Sequence, residues 1–141
     1  MFNVILLLLT TKMAVANVDM MFNREEKIHN LPPNLLKAIC YVETGHNLNL
    51  LYKFDVYSNS YGICQVKIGA AKQVGFTHPE RLLAQPDVNA RIAAKYLQYQ
   101  LKRYNGDVKK AITAYNRGSF KPNYNLNNKY VVKVYQAWEM L

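Results

Sequence analysis

Apolar positions along this chain recur at helical spacing, and their interruptions mark where one helix ends and the next begins. Leu35, Leu36, Ile39, Cys40 and Val42 lead up to Glu43, with Leu36, Ile39 and Cys40 on the same side as the carboxylate. This run predicts a helix from about Pro33 to Thr44, started after Pro32-Pro33 and ended by Gly45. Before it, residues 17–31 are polar and mixed, with a short helix expected over Glu25 to His29. After it, residues 46–61 read as an irregular loop holding a short extended pair between Tyr52 and Tyr57. Asn59 or Ser60 is expected to cap a helix from Tyr61 or Gly62 to Gly75. Thr77-His78-Pro79-Glu80 has the form of a capping box, which predicts a short helix over Pro79 to Ala84.

The longest helix is expected from about Asp87 to Tyr104, with Val88, Ile92, Tyr96 and Tyr99 on one stripe and Leu97, Leu101 and Tyr104 widening it. Asn105-Gly106 stops it. Asp107 caps a further helix through Tyr115, with Ala111, Ile112, Ala114 and Tyr115 as its apolar side. An Asn-, Gly- and Pro-containing loop over 116–126 precedes a final helix opened by Asn127 or Asn128, with Val131, Val134, Tyr135 and Trp138 inward. There is no repeat, low-complexity tract or interdomain linker. The pattern describes a small all-α domain with one irregular loop region.

Composition supports a folded chain: half of the 141 residues are hydrophobic, enough for one domain with a real core. The formal net charge is +9 and the basic residues are dispersed. A polyanionic surface is the natural partner, be it nucleic acid, anionic lipid or cell wall. No recognition-helix pattern or basic amphipathic run accompanies the charge, which counts against a nucleic-acid-binding or membrane-active helical protein. At the N-terminus, Val4 to Leu9 is apolar but too short to span a bilayer. Ala14-Val15-Ala16 fits a signal-peptidase site, so residues 1–16 are expected to be a signal peptide and 17–141 the exported domain. Lys12 lies after the apolar run instead of before it, and the alternative is an N-terminal helix that stays attached.

Two cysteines, Cys40 and Cys64, are too few for a disulfide scaffold and match no metal-site pattern. Two buried thiols are the favoured reading; in an exported protein one disulfide is the alternative. Cys40 lies about a turn before Glu43, and Cys64 is expected on an element that packs against the same helix, so the two are expected to come close in space. Neither has the partners of a nucleophilic cysteine.

Glu43 is the candidate for chemistry. A carboxylate on the buried side of a helix resists ionisation, so its pKa rises, which suits a general acid. On the helix alone, a glutamate turned out to water is the favoured reading. Four ordered segments change the reading: Glu43-Thr44, Gly62-Ile63-Cys64-Gln65, Ala114-Tyr115-Asn116-Arg117-Gly118, and Tyr130-Val131-Val132-Lys133-Val134. Together they resemble the catalytic domain of the soluble lytic transglycosylases, related in fold to goose-type lysozyme. The resemblance covers about Leu31 to Trp138.

The resemblance implies a lysozyme-like helical fold with a cleft and a peptidoglycan glycan strand as substrate. It implies Glu43 as catalytic acid and base, Gln65 lining the sugar cleft, Tyr115 and Asn116 beside the glutamate, and Tyr130 closing the other side. It implies no metal and no cofactor. Thr44 replaces the usual serine and keeps the hydroxyl. Cys64 replaces a methionine that faces substrate in the family, and His46 stands where an aromatic is common.

Most glycosidases use two carboxylates. In this family one glutamate protonates the glycosidic oxygen of the MurNAc-GlcNAc bond, and the substrate N-acetyl group helps stabilise the cation. The same glutamate then deprotonates the 6-hydroxyl, leaving a 1,6-anhydro end. Asp55 is the only other carboxylate nearby in sequence. If it positioned a water, the enzyme would be a lysozyme-type muramidase; a loop aspartate more often caps a turn. A peptidoglycan-binding module with little catalysis is the remaining alternative, opposed by the intact Glu43. The expected protein is exported, monomeric, and without a membrane span once the signal is removed.

Overall fold

The computed structural model describes residues 2–141, and Met1, the start of the expected signal segment, lies outside them. Six α-helices surround a small three-stranded antiparallel sheet. They are α1 (Phe2–Ile28), α2 (Leu35–Thr44), α3 (Ile68–Gln73), α4 (Pro86–Arg103), α5 (Val108–Arg117) and α6 (Lys129–Glu139). The strands are β1 (Phe54–Asp55), β2 (Ser60–Tyr61) and β3 (Val66–Lys67), in the order β1-β2-β3. Single 3-10 turns occur at Leu48–Leu50 and Glu80–Ala84. The all-α reading holds, with β1 and β2 in the stretch expected to be irregular and β3 in one expected to be helical.

α4 is the central element and packs against α1, α2, α3 and α5, while α2 packs along α6. Of the expected stripe, Ile92, Tyr96 and Leu97 are buried, whereas Val88, Tyr99, Leu101 and Tyr104 are half-buried; Ala90, Ala93 and Ala94 and the polar Asn89 and Gln100 complete the buried face. Leu35, Leu36, Ile39 and Cys40 of α2 are fully buried, each large apolar side chain contributing about 1.5–3 kcal/mol. Asp107 and Asn128 cap α5 and α6 as expected, accepting from the backbone N–H of Lys110 and Val131 at 3.1 Å each. In α6, Val131 and Val134 are buried. Trp138 is half-buried and donates its indole N–H to the Pro33 carbonyl at 2.8 Å.

Three local expectations are corrected. Residues 17–31 do not hold a short isolated helix: α1 runs unbroken to Ile28, with Phe22 fully buried and stacked on His46 at 5.0 Å. Polar side chains hid its inward face, because Glu25 and Glu26 are buried too. Glu26 performs a capping role across elements. Asn34, in left-handed geometry, offers no side-chain cap to α2, and the Glu26 carboxylate accepts from the Leu36 N–H at 3.1 Å instead. Burial pushes the Glu26 carboxyl up while the helix-end N–H groups pull against it.

The helix expected from Tyr61 begins only at Ile68, because residues 60–67 form the β2–β3 hairpin, with Ser60 paired to Lys67 and Tyr61 to Val66. Gly62 takes φ +72°, and a Cβ there would lie 2.6 Å from the Asn89 side chain. Close packing against α4 outweighs the local helix signal. The capping box at Thr77 is not made either: Pro79 precedes the 3-10 turn without a side-chain cap, and Glu80 accepts from the Tyr61 hydroxyl at 2.9 Å.

Candidate active site

Glu43 sits one residue from the end of α2, where Gly45 turns the backbone into left-handed geometry at φ +67°. Three links hold the β2–β3 hairpin, two from α2 near its end and one from α5. Cys40 and Cys64 form a disulfide with a Cα separation of 4.2 Å, so the expected proximity is realised and the reading of two buried thiols is corrected. The Thr44 hydroxyl donates to the Ile63 carbonyl at 2.8 Å, a use that any hydroxyl at this position could serve. The Tyr115 hydroxyl donates to the Cys64 carbonyl at 3.0 Å. Cys64 is fully buried in its disulfide, so it does not replace a methionine at the cleft surface.

Asn89 completes the clamp from α4. Its side-chain oxygen accepts from the Cys64 N–H at 2.9 Å, and its amide donates to the Tyr61 and Leu83 carbonyls at 2.7 Å. Every polar atom of this fully buried side chain is thus satisfied. Gln65, held in left-handed geometry at φ +47°, turns back to donate to the Gly62 carbonyl at 2.9 Å. A non-glycine residue in that region is a local strain that the clamp sustains.

A cavity of about 680 Å³ opens in front of Glu43. Gln65 and Lys67 line one part and Tyr96, Tyr115, Asn116 and Arg117 another. Lys53, Asp55 and Ser58 to Ser60 contribute from the loop and strand β1. Of the five expected site residues, Glu43, Gln65, Tyr115 and Asn116 meet at this cavity. Tyr130 is not among its lining residues. It lies against Glu43 instead, its hydroxyl donating to Oε1 at 2.6 Å. Asn116 is exposed, whereas Tyr115 is buried with its hydroxyl committed to the backbone. Asp55 lines the cavity and also caps its own turn, accepting from the Tyr57 N–H at 3.0 Å.

The electrostatics separate the two carboxylates. Burial pushes the Glu43 carboxyl above its ordinary value, against the opposing pull of the Tyr130 hydrogen bond and the Lys67 charge. Asp55 is pulled below its ordinary value, first by a hydrogen bond from Ser58 and then by the Tyr57 N–H. Burial, and then the charge of Glu43, push the Tyr115 and Tyr130 hydroxyls well up, so both stay protonated donors. Among the described residues no group of three or more His, Cys, Asp or Glu side chains is placed to hold a metal ion.

Sequence reasoning passed over Asn89, Lys53, Lys67 and Arg117. Asn89 carried a signal: it is a polar residue one position from Val88, on the helix whose apolar stripe was recognised. The three cations looked like solvated surface until the fold gathered them around one cavity.

Comparison with known proteins bears on the fold and the family. A family model described as the transglycosylase SLT domain matches residues 20–136. Protein IpgF of Shigella flexneri is 30% identical over 113 residues, which span 78% of this chain and 73% of that protein. A peptidoglycan-binding-like protein of Escherichia coli O157:H7 is 29% identical over 143 residues, 95% of this chain and 84% of that protein. Among solved structures, an inactive glutamate-to-glutamine mutant of the lytic transglycosylase Slt from Pseudomonas aeruginosa superposes with a TM-score of 0.65 at 22% identity. The match covers 85% of this chain, which spans only 21% of that much longer one. With the family model matching most of the length and the fold shared with Slt, the chain belongs to the transglycosylase SLT domain family.

Proposed function

We propose that the protein is a peptidoglycan lytic transglycosylase in which Glu43 serves as both general acid and general base. The observation that carries this reading is the carboxylate at the end of α2: raised by burial, opening on the cavity, and gripped by Tyr130 at 2.6 Å. In its acid form Glu43 protonates the oxygen of the MurNAc-GlcNAc bond. The bond breaks toward the leaving GlcNAc, and the muramyl N-acetyl group supports the developing cation. Glu43, now ionised, takes the proton of the 6-hydroxyl as that oxygen closes on the anomeric carbon. The product carries a 1,6-anhydro end. An attacking group already within the substrate has a high effective concentration and needs no second carboxylate. Tyr130 holds the carboxylate in place, Gln65 and Asn116 meet the sugar, and Tyr115 ties α5 to the hairpin that presents Gln65.

Digestion of purified sacculi tests this. Muropeptides with 1,6-anhydro ends, about 18 mass units below hydrolysed products, are expected, and their absence from the digest of a folded protein overturns the reading. One observation favours a second reading: Asp55 lines the same cavity and is held ionised, as a residue positioning a water would be. A muramidase of that kind releases only reducing ends.

The proposal extends to export. No described residue from Val4 to Met13 is buried, and the first side chain of α1 packed against the core is Val18. Cleavage after Ala16 therefore leaves every packing residue of α1 in place, and the mature protein acts as a monomer on the cell wall. Mass spectrometry of exported protein should find Asn17 first.

A further inference from the structure

The cavity holds more positive charge than an uncharged sugar chain can use. Lys53, Lys67 and Arg117 all line it, all are exposed, and none forms an ion pair among the described residues. Two carboxylates share the cavity: Glu43, near Lys67, which must be protonated to act, and Asp55, near Lys53 but already engaged by Ser58 and Tyr57. The working cleft is therefore cationic. Neutral hydroxyls and acetamides are served by groups such as Gln65, Ser58 and Asn116, and gain little from ammonium or guanidinium groups. Lys67 even opposes catalysis as it stands, because its charge favours the ionised form of Glu43. An anion seated against Lys67 would cancel that pull. Arg117 is poised at the cleft edge with its guanidinium 4.7 Å from the centre of the Tyr124 ring. Stacking of this kind holds the planar fork ready for a carboxylate.

We infer that the cleft selects glycan strands whose muramyl substituents bear free carboxylates, with Lys53 and Arg117 as specificity residues and Lys67 neutralised by the same substrate. This rests on the peptidoglycan reading above and deepens it. The muramyl unit differs from N-acetylglucosamine by its lactyl group, and the peptide attached there carries carboxylates at positions a β-1,4 glucosamine polymer lacks. Charge-assisted contacts of exposed groups are individually modest and add when several engage one substrate.

The test uses purified sacculi in two forms, untreated and with peptide carboxylates converted to amides by carbodiimide and ammonia. The proteins compared are the unsubstituted enzyme, Lys53→Gln/Arg117→Gln, and Arg81→Gln/Lys133→Gln, which removes the same charge from exposed positions off the cleft. The unsubstituted enzyme is expected to show roughly tenfold lower kcat/KM on amidated sacculi with kcat little changed. The cleft variant is expected to treat both substrates alike at the lower value, and the surface control to keep the preference. Equal kcat/KM on the two substrates, or loss of the preference in the surface control, overturns the inference. Binding of Glu43→Gln to both forms of sacculi, measured in parallel, separates the two proposals. If cleavage fails everywhere, the catalytic reading falls, yet binding that ignores amidation still overturns this one and binding that favours the untreated form still supports it.

Discussion

Glu43 and Asp55 line one cavity and differ in everything else. Glu43 rides on a helix whose buried face fixes its direction, and burial raises its pKa. Asp55 ends a two-residue strand, and its carboxylate is spent on its own turn. One environment raises a carboxyl's pKa; the other lowers it and ties the carboxylate to its own turn. The contrast shows that placement on a packed element, more than residue type, decides which carboxylate can do proton transfer. It extends to the two sides of the cleft. The helical side is held by continuous apolar packing, whereas the hairpin side buries only the apolar Ile63 and Val66 beside the disulfide and relies further on point contacts: Asn89 and the hydroxyls of Thr44 and Tyr115.

The most direct way to break the comparison is Glu43→Gln. Cleavage of sacculi is expected to fall by a factor on the order of 10² to 10⁴ or more, with circular dichroism and melting temperature nearly unchanged. Retained activity above a few per cent would sink the assignment.

The point contacts of the hairpin side predict the next largest effect. Cys40→Ala/Cys64→Ala is expected to lose about 2–4 kcal/mol in urea unfolding, because it releases a crosslink between positions 24 residues apart. Activity should fall further than the unfolded fraction accounts for, since Gln65 follows Cys64 directly. A reductant should reproduce both changes in the unsubstituted protein.

Tyr130→Phe sharpens the electrostatic half of the contrast. The Tyr130 hydrogen bond favours ionised Glu43, so its removal raises the Glu43 pKa further. The acid form then persists to higher pH, and the alkaline limb of the kcat/KM profile is expected to move upward. The loss of rate at the optimum should be about tenfold or less, reflecting poorer positioning of the carboxylate. An alkaline limb that stays put or moves downward would show that Glu43 is not the titrating acid.

Asp55→Asn should have the smallest effect, within about threefold, because an amide oxygen can still accept from the Tyr57 N–H. The products should keep their 1,6-anhydro ends. An inactive, folded Asp55→Asn protein yielding only reducing ends in its unsubstituted form would identify a muramidase.

The sequence by itself determined four of the six described helices, α2, α4, α5 and α6, and several of their ends. Apolar stripes spaced at 3.6 residues, Gly45 and Gly106, and the caps Asp107 and Asn128 act within a few positions of one another, so local chemistry suffices to read them. The four motifs named Glu43, Gln65, Tyr115 and Asn116 through their resemblance to a family; Glu43, Tyr115 and Asn116 ride on helices that the pattern also shows, while Gln65 lies in the hairpin turn. Tertiary structure decided the rest. The 60–67 hairpin exists because Asn89, more than 20 residues away, satisfies its backbone and packs against Gly62. The disulfide forms because α2 and that hairpin are brought together by the same packing, which no count of two cysteines can reveal. Tyr130 reaches Glu43 across 87 positions of chain, and Lys53, Lys67 and Arg117 share a cavity although nothing in their spacing links them. Contacts of that separation are set by how helix faces pack, and each face is shaped by all its neighbours at once.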